Sequence, residues 1–444
     1  MSVHVNSHLI RVAAIAVATF LVGVAHAQGI DSAKLKELES RANAALPKMV
    51  VWRRDIHQHP ELSGQEVRTA KLVADHLRAL GLEVKTGVGG TGVVGLLKGS
   101  RPGKVVALRA DMDALPVQEA TGLPFASKAI GRNFGKDTPV MHACGHDGHT
   151  AILMGVAEML AGMQSQLAGS VKFIFQPAEE GRSEEPSDPN APYGAKAMIA
   201  DGVLDHPKVD AIFGLHLTAL APPGVLGYRI GSFWAAADGF RIKVTGRQTH
   251  GSQPWTGIDP IVASAQIVAG LQTIVSRQLD ITKQPAVVTI GAVNGGNREN
   301  VIPDTVEMLG TLRTFDNAMR ADAKKRIATT AESIATASGA KAEVSFTTVA
   351  YPPVVNPGPL SELAVPVLKA VAGDKAVTIP LVSGSEDFSD FQAAVPGFFF
   401  ILGAAPKGKA PAPNHSPLFD FDEDAMAVGA RALAALALDQ LGRP

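Results

Sequence analysis

Val171-Lys172-Phe173-Ile174-Phe175-Gln176-Pro177-Ala178-Glu179-Glu180-Gly181 reads as a short, largely apolar strand that stops at a proline turn carrying two adjacent carboxylates. Its length suits a strand buried inside a sheet, and the turn residues mark its carboxyl end. Downstream, Ala211–His216 is another short buried strand that ends on a polar residue. Upstream, Thr150–Ala161 carries helical periodicity, and strand signals lie at Leu82–Lys85, Gly92–Leu97 and Val105–Arg109. Two more helices are predicted over Lys34–Gln58 and Gln65–Leu80, the second stopped by Gly81. Alternating strands and helices predict an α/β layered domain. Open sheets of this kind build their sites at the carboxyl ends of strands.

The pattern changes from about Phe233. Gly239–Thr245 alternates like a half-buried strand, Asp259 and Pro260 open a helix running to about Gln278, and strands follow near Ala286–Val293 and Val306–Phe315. A helix over Ala318–Ser338 and a strand near Ala342–Val349 complete a strand-helix-strand-strand-helix-strand order. That order predicts a small α+β, ferredoxin-like unit inserted in the larger domain. After a proline-rich turn at Tyr351–Pro359, a helix (Leu360–Ala372), an apolar stretch (Gly397–Leu402) and a last helix (Asp422–Leu441) return the chain to the first unit. The expected division is a leader over 1–27, a first catalytic part over 28–232, the insert over 233–350 and a second catalytic part over 351–444.

Composition narrows the partner. The 444 residues are 46% hydrophobic and 19% charged, a globular balance, and 41 Lys and Arg offset 42 Asp and Glu along the chain. No basic groove for nucleic acid and no polybasic membrane patch is expected, so the partner is a small molecule. At the start, Arg11 closes a polar segment, Val12–Val24 is apolar, and Ala25-His26-Ala27 has the small-x-small form of a signal-peptidase site. The apolar run is shorter than the ~20 residues a spanning helix needs, so an exported protein cleaved after Ala27 is expected, with no membrane anchor. Its single cysteine, Cys144, cannot be an intrachain disulfide partner, so packing or chemistry must account for it.

Met141-His142-Ala143-Cys144-Gly145-His146-Asp147-Gly148-His149 puts one thiol, three imidazoles and a carboxylate within nine residues, just ahead of a predicted helix. A lone Cys is usually a small buried hydrophobe and a lone His a satisfied polar residue. Clustered this tightly, such groups need one another or a cation, and the donor types suit zinc. Cys144 and His146 are the ligand candidates, with His142 and His149 as supporting or structural residues. Of the neighbouring carboxylates Glu179 and Glu180, one can hold metal while the other handles protons; alone, the pair would read as a solvated acidic turn. His216 at a strand end and His415 in Asn414-His415-Ser416-Pro417 are weak signals taken singly.

Taken together, these motifs resemble the metallopeptidase family of aminoacylases, hippurate hydrolases, indole-acetyl-amino-acid hydrolases and related carboxypeptidases. The resemblance also runs through Arg54–Glu61, Arg109–Pro116, Thr249-His250-Gly251 and Ser385-Glu386-Asp387-Phe388. It implies a zinc-peptidase-like α/β/α catalytic domain with a lid and dimerisation insert. It further implies that Cys144, His146, Glu180, His216 and His415 hold two divalent ions, zinc first, with manganese, cobalt or nickel as alternatives. Glu179 would be the general base and acid. His250 would donate to the tetrahedral oxygen, reaching across a homodimer. Arg313 and Asn300 would bind the substrate carboxylate, since a planar guanidinium matches it. Asp111 and Asp113 would orient ligands from behind; relatives have a ligating His where Asp111 stands, so neither is placed in the metal set. The implied reaction is hydrolysis of N-acyl amino acids by a metal-activated water. A carboxypeptidase or dipeptidase of short peptides or aryl amides is the neighbouring alternative, and a non-catalytic exported binding protein is the alternative from another class.

Other motifs fail on context. Gly87, Gly89 and Gly92 match a dinucleotide fingerprint, but a strand follows them in place of the helix that would hold pyrophosphate, so a hairpin turn is expected. The chain has no Gly-x-Ser-x-Gly and no His-Glu-x-x-His, which removes support for serine-hydrolase and single-zinc helix chemistry.

Overall fold

A computed structural model describes residues 30–188, 190–347 and 350–443. The expected leader and the Val349 end of the last predicted lid strand lie outside the described residues. Among those residues, no helix is long and apolar enough to cross a membrane.

Eight strands form the main sheet, in the spatial order Glu83–Val88, Gly92–Lys98, Ala168–Gln176, Arg101–Asp111, Ala211–Thr218, Gly397–Gly403, Leu226–Tyr228 and Ala376–Thr378. Its four central strands, Ala168–Gln176 through Gly397–Gly403, run parallel. Within them Val105–Asp111, Val171–Gln176, Ala211–Leu217 and Gly397–Gly403 are buried throughout, as strands covered on both faces must be. Successive side chains serve opposite layers: Phe398, Phe400 and Leu402 enter the core under helices Ser32–Gln58, His146–Ala161 and Ala425–Leu441, while Phe399 and Ile401 enter the other, with Phe388 and Phe391. An α/β/α sandwich results. Phe400 is fully buried, so Phe400→Ala is expected to cost about 3–5 kcal/mol of stability, read by chemical denaturation. The glycine-rich turn after Val88 is the hairpin expected, with Glu83–Val88 antiparallel to Gly92–Lys98.

A second sheet, ordered Ala286–Asn294, Thr305–Thr314, Ala236–Thr245, Lys341–Phe346, is wholly antiparallel. Helices Pro260–Thr273 and Asn317–Ala337 cover one face around a separate core that includes Ile242, Ile267, Met308 and Ile327. This is the ferredoxin-like lid. Asp259 caps the first of these helices, accepting from Ile261 and Val262 N–H at 2.8 and 3.2 Å. That helix ends at Thr273 and a π-helical turn covers Ile274–Gln278. Where the chain enters and leaves the lid, Gly231–Trp234 pairs with Val354–Asn356 and Ala237 with Tyr351.

Candidate metal centre

The central strands deliver their carboxyl ends to one rim. Arg101–Asp111 ends on Asp111 with Asp113 just beyond, Ala168–Gln176 leads into the Glu179-Glu180 turn, and Ala211–Thr218 carries His216 near its end. The Cys144–His149 motif does not precede its helix as the sequence suggested: His146–His149 are the first turn. Gly145 permits this, because its φ of 99° lies where a side chain is disfavoured, and it turns the chain sharply into the helix without a capping side chain. The C-terminal loop is pinned beside it. His415 N–H donates to Ala143 O at 2.7 Å, and the Asn414 amide donates to Cys144 O at 2.8 Å and Leu217 O at 3.2 Å.

Cys144, His146, Glu180, His216 and His415, scattered over more than half the chain, therefore meet. Cys144 Sγ lies 3.4 Å from His216 Nε2, and Glu180 Oε1 lies 3.0 Å from His415 Nε2 and 4.0 Å from His146 Nε2. Donor atoms of Cys144, His146 and His216 lie within 4.8 Å of one another, and so do those of Cys144, Glu180 and His415. Ligands of one zinc ion, at bonds of ~2.0–2.3 Å, lie ~3.3–3.7 Å apart. The hydrogen bonds also choose the free nitrogens. His146 Nδ1 faces Asp113 O at 2.9 Å and so carries a proton, while Nε2 is buried with no hydrogen-bond partner among the described residues. His216 Nδ1 faces Leu217 O at 2.7 Å, which leaves Nε2 bare toward the thiol. His149 is different: Nε2 accepts from Leu217 N–H at 2.7 Å and Nδ1 donates to Asp111 at 2.6 Å, so it has no lone pair left and acts as a brace. Three imidazoles, a thiol and a carboxylate in two groups sharing Cys144 fit a pair of divalent cations.

Electrostatics favour the same occupant. Burial, aided by Glu180 and Glu179, pushes the Cys144 thiol well up, and burial with His149 nearby pushes His216 well down, so both stay neutral until a cation arrives. Burial opposes charging of His146 too, yet Asp111 and Asp113 hold it up at about 10, so without metal this ring is cationic, and a divalent ion bound at Nε2 would take the place of its proton and answer the same carboxylates. Burial first, then Glu386, Glu180 and Asp387, pushes the Glu179 carboxyl well above the usual range. Beneath them lies Arg109, whose guanidinium donates to Asp111 at 2.6 Å, Asp387 at 2.8 Å and Gln176 at 2.8 Å, and stands 3.0 Å from Glu386. Gly194 makes room for this cluster: a Cβ there would sit 2.3 Å from the Asp387 carboxylate.

A cavity of about 620 Å³ opens over the donors, lined by Glu179, Trp234, Leu220, Val382, Ile401 and, from the lid, Arg313. Thus Arg313 reaches the site. His250 and Asn300 do not line this cavity; they lie side by side on the exposed edge of the lid, where Thr249–His250 pairs with Val301–Ile302. His142 is buried, with neither ring nitrogen hydrogen-bonded among the described residues, and burial pushes it down to about 3, so it stays neutral. Arg109, Asn414, Trp234 and Tyr351 escaped the sequence reading of the site. The apolar strand around Arg109 was the available signal, because a cation there needs buried carboxylates.

An α/β/α sheet whose strand ends gather thiol, imidazole and carboxylate donors under a lid defines a metallohydrolase. Residues 107–439 match the model of peptidase family M20/M25/M40. The chain is 43% identical over 388 residues to thermostable carboxypeptidase 1 of Saccharolobus solfataricus, covering 87% of this chain and 93% of that protein. It is 40% identical to the N-acetylcysteine deacetylase of Bacillus subtilis, covering 88% and 96%. It is also 40% identical to IAA-amino acid hydrolase ILR1-like 2 of Arabidopsis thaliana, covering 88% and 85%. Among solved structures, the Bacillus subtilis YxeP protein, described as a dinuclear metal binding peptidase from the M20 family, superposes with a TM-score of 0.74 at 37% identity, covering 90% and 99%. The chain belongs to peptidase family M20/M25/M40, and it is a metallopeptidase or amidohydrolase of that family.

Proposed function

We propose that the protein hydrolyses the amide bond of N-acyl amino acids, with Cys144, His146, Glu180, His216 and His415 holding two divalent ions, zinc first. The observation that carries this reading is the gathering of these five side chains' donor atoms beneath the cavity. When bound, such ions polarise the amide carbonyl and acidify water. Glu179, buried and raised in pKa, takes the proton of the attacking water and passes it to the leaving nitrogen. Arg313 has no carboxylate partner among the described residues and donates to Thr311 Oγ1 at 2.5 Å, so it is free to pair with the substrate carboxylate. Apolar walls at Leu220, Trp234, Val382 and Ile401 suit an apolar or aromatic acyl group. Arg313→Ala is expected to raise KM roughly 10- to 100-fold with a smaller change in kcat, the loss of one charged hydrogen-bonded contact.

The test is release of amino acid from a panel of hippurate-like, N-acetyl and dipeptide substrates, with metal content measured in parallel. Cleavage of acyl amino acids above dipeptides supports the reading; dipeptides preferred would make it a dipeptidase or carboxypeptidase, and no cleavage by metal-loaded protein would overturn it. The leader-like start further implies export, which N-terminal sequencing beginning at Gln28 would support.

A homodimer completes this reading. Trp255, Ile261 and Val262 are exposed on the lid not far in sequence from the exposed His250, and a second copy covering them lets His250 act in the neighbouring site. Mixed Glu179→Gln and His250→Ala chains are then expected to regain up to about a quarter of wild-type activity, the share of complete sites in randomly exchanged dimers. No regain from two inactive variants would place His250 within its own chain's site, and full activity of His250→Ala alone would place it outside the reaction.

A further inference from the structure

The turn between Gln176 and Gly181 must aim neighbouring carboxylates in different directions, and Ala178 does this with a φ of 52°, which disfavours any residue with a Cβ. Contacts from outside hold it. Ala178 N–H donates to Glu66 at 2.9 Å, Glu180 N–H donates to Asp113 at 3.0 Å, and Asp387 N–H lies 3.4 Å from the Glu179 carboxylate. These partners all come from the main α/β/α unit. The fourth holder does not. Tyr351 donates its hydroxyl to the Glu179 backbone carbonyl at 2.6 Å from the crossing between sheet and lid, where its own backbone is bonded both ways to Ala237 at 3.1 and 3.2 Å. Its ring stands edge-on to Tyr193, with centroids 6.5 Å apart, and Lys196 fixes the preceding carbonyl, Ala350 O, at 2.7 Å.

We infer that Tyr351 is a positioning residue: its hydroxyl fixes the Glu179 peptide, and with it the directions of the Glu179 and Glu180 carboxylates, and ties that turn to the base of the lid. The inference deepens the proposed hydrolysis and rests on it for its catalytic consequence. Without the hydroxyl, the Glu179 carbonyl loses this donor and the following peptide is free to rotate, which moves a base and a metal ligand together. Tyr351 also lines the cavity, so a role as a mere substrate wall is the competing explanation.

Tyr351→Phe removes the hydroxyl and keeps the ring. Two readouts separate the explanations: the visible spectrum of the Co2+-loaded protein without substrate, and kcat against KM on substrates that differ in acyl group. Positioning predicts full metal content, altered cobalt band intensities, and kcat lowered about tenfold by the same factor for every substrate with KM nearly unchanged. An unchanged spectrum with unchanged kcat overturns the inference. So does a rise in KM that varies with the acyl group while kcat holds. If the wild type cleaves nothing in the panel, the proposed function fails by itself, and the cobalt comparison still decides Tyr351.

Discussion

Glu179→Gln is expected to lower kcat by about 10²–10⁴-fold while the protein keeps its metal and its fold. The amide has nearly the same shape as the carboxyl and adds no charge to a cluster already rich in carboxylates, so the core beneath should not respond. What it loses is the ability to accept a proton. Glu179 suits that task because it is buried beside the donor cluster, where burial and its acidic neighbours raise its pKa well above the usual carboxylate range. Its Oε2 stands 4.0 Å from His146 Nε2, at the edge of the donor cluster but outside the hydrogen-bonded groups that lock His149 and Asp111. Turnover by purified Glu179→Gln near the wild-type rate would show that another group moves the proton.

Arg109→Met is expected to destabilise the fold as strongly as emptying the sheet core. Arg109, Asp111, Glu386 and Asp387 are all buried, and the guanidinium is the cation shared by the three carboxylates. Even with it present, burial drives the Asp387 carboxyl up to about 7, against the pull of Arg109. Removing the cation leaves uncompensated charge in a low-dielectric interior, a loss of about 3–5 kcal/mol, set against a total stability of roughly 5–15 kcal/mol. Adding Glu386→Gln removes one of the stranded charges, so the double variant should be more stable than Arg109→Met alone, a coupling that equilibrium denaturation of the four chains measures. An unchanged unfolding midpoint in Arg109→Met would mean that the carboxylates are neutral without it.

The central strands were legible because both their faces are buried: runs such as Val105–Leu108 and Phe173–Phe175 have no other stable environment. The lid was legible for a different reason, since its strands and helices each keep their own period and follow one another in a recognisable order. Leu226–Tyr228 and Ala376–Thr378 left no signal, being three residues each and paired only through the fold. The start of the helix at His146 was hidden because Gly145 supplies backbone freedom in place of a capping side chain. His216 and His415 are each unremarkable in sequence; it was resemblance, not local pattern, that named them. Arg109 shows the limit most clearly. Its partner Asp387 lies 278 residues away, and no window on the sequence holds both.

Five dispersed side chains would hold a pair of cations, with Cys144 common to both donor groups. X-ray absorption at the metal edge, on protein whose metal content has been counted, reads this arrangement. About two ions per chain and one sulfur neighbour at ~2.3 Å from the metal are expected, the sulfur lost in Cys144→Ser while nitrogen and oxygen neighbours remain. A spectrum with no sulfur neighbour in the wild type, at full metal content, would contradict it.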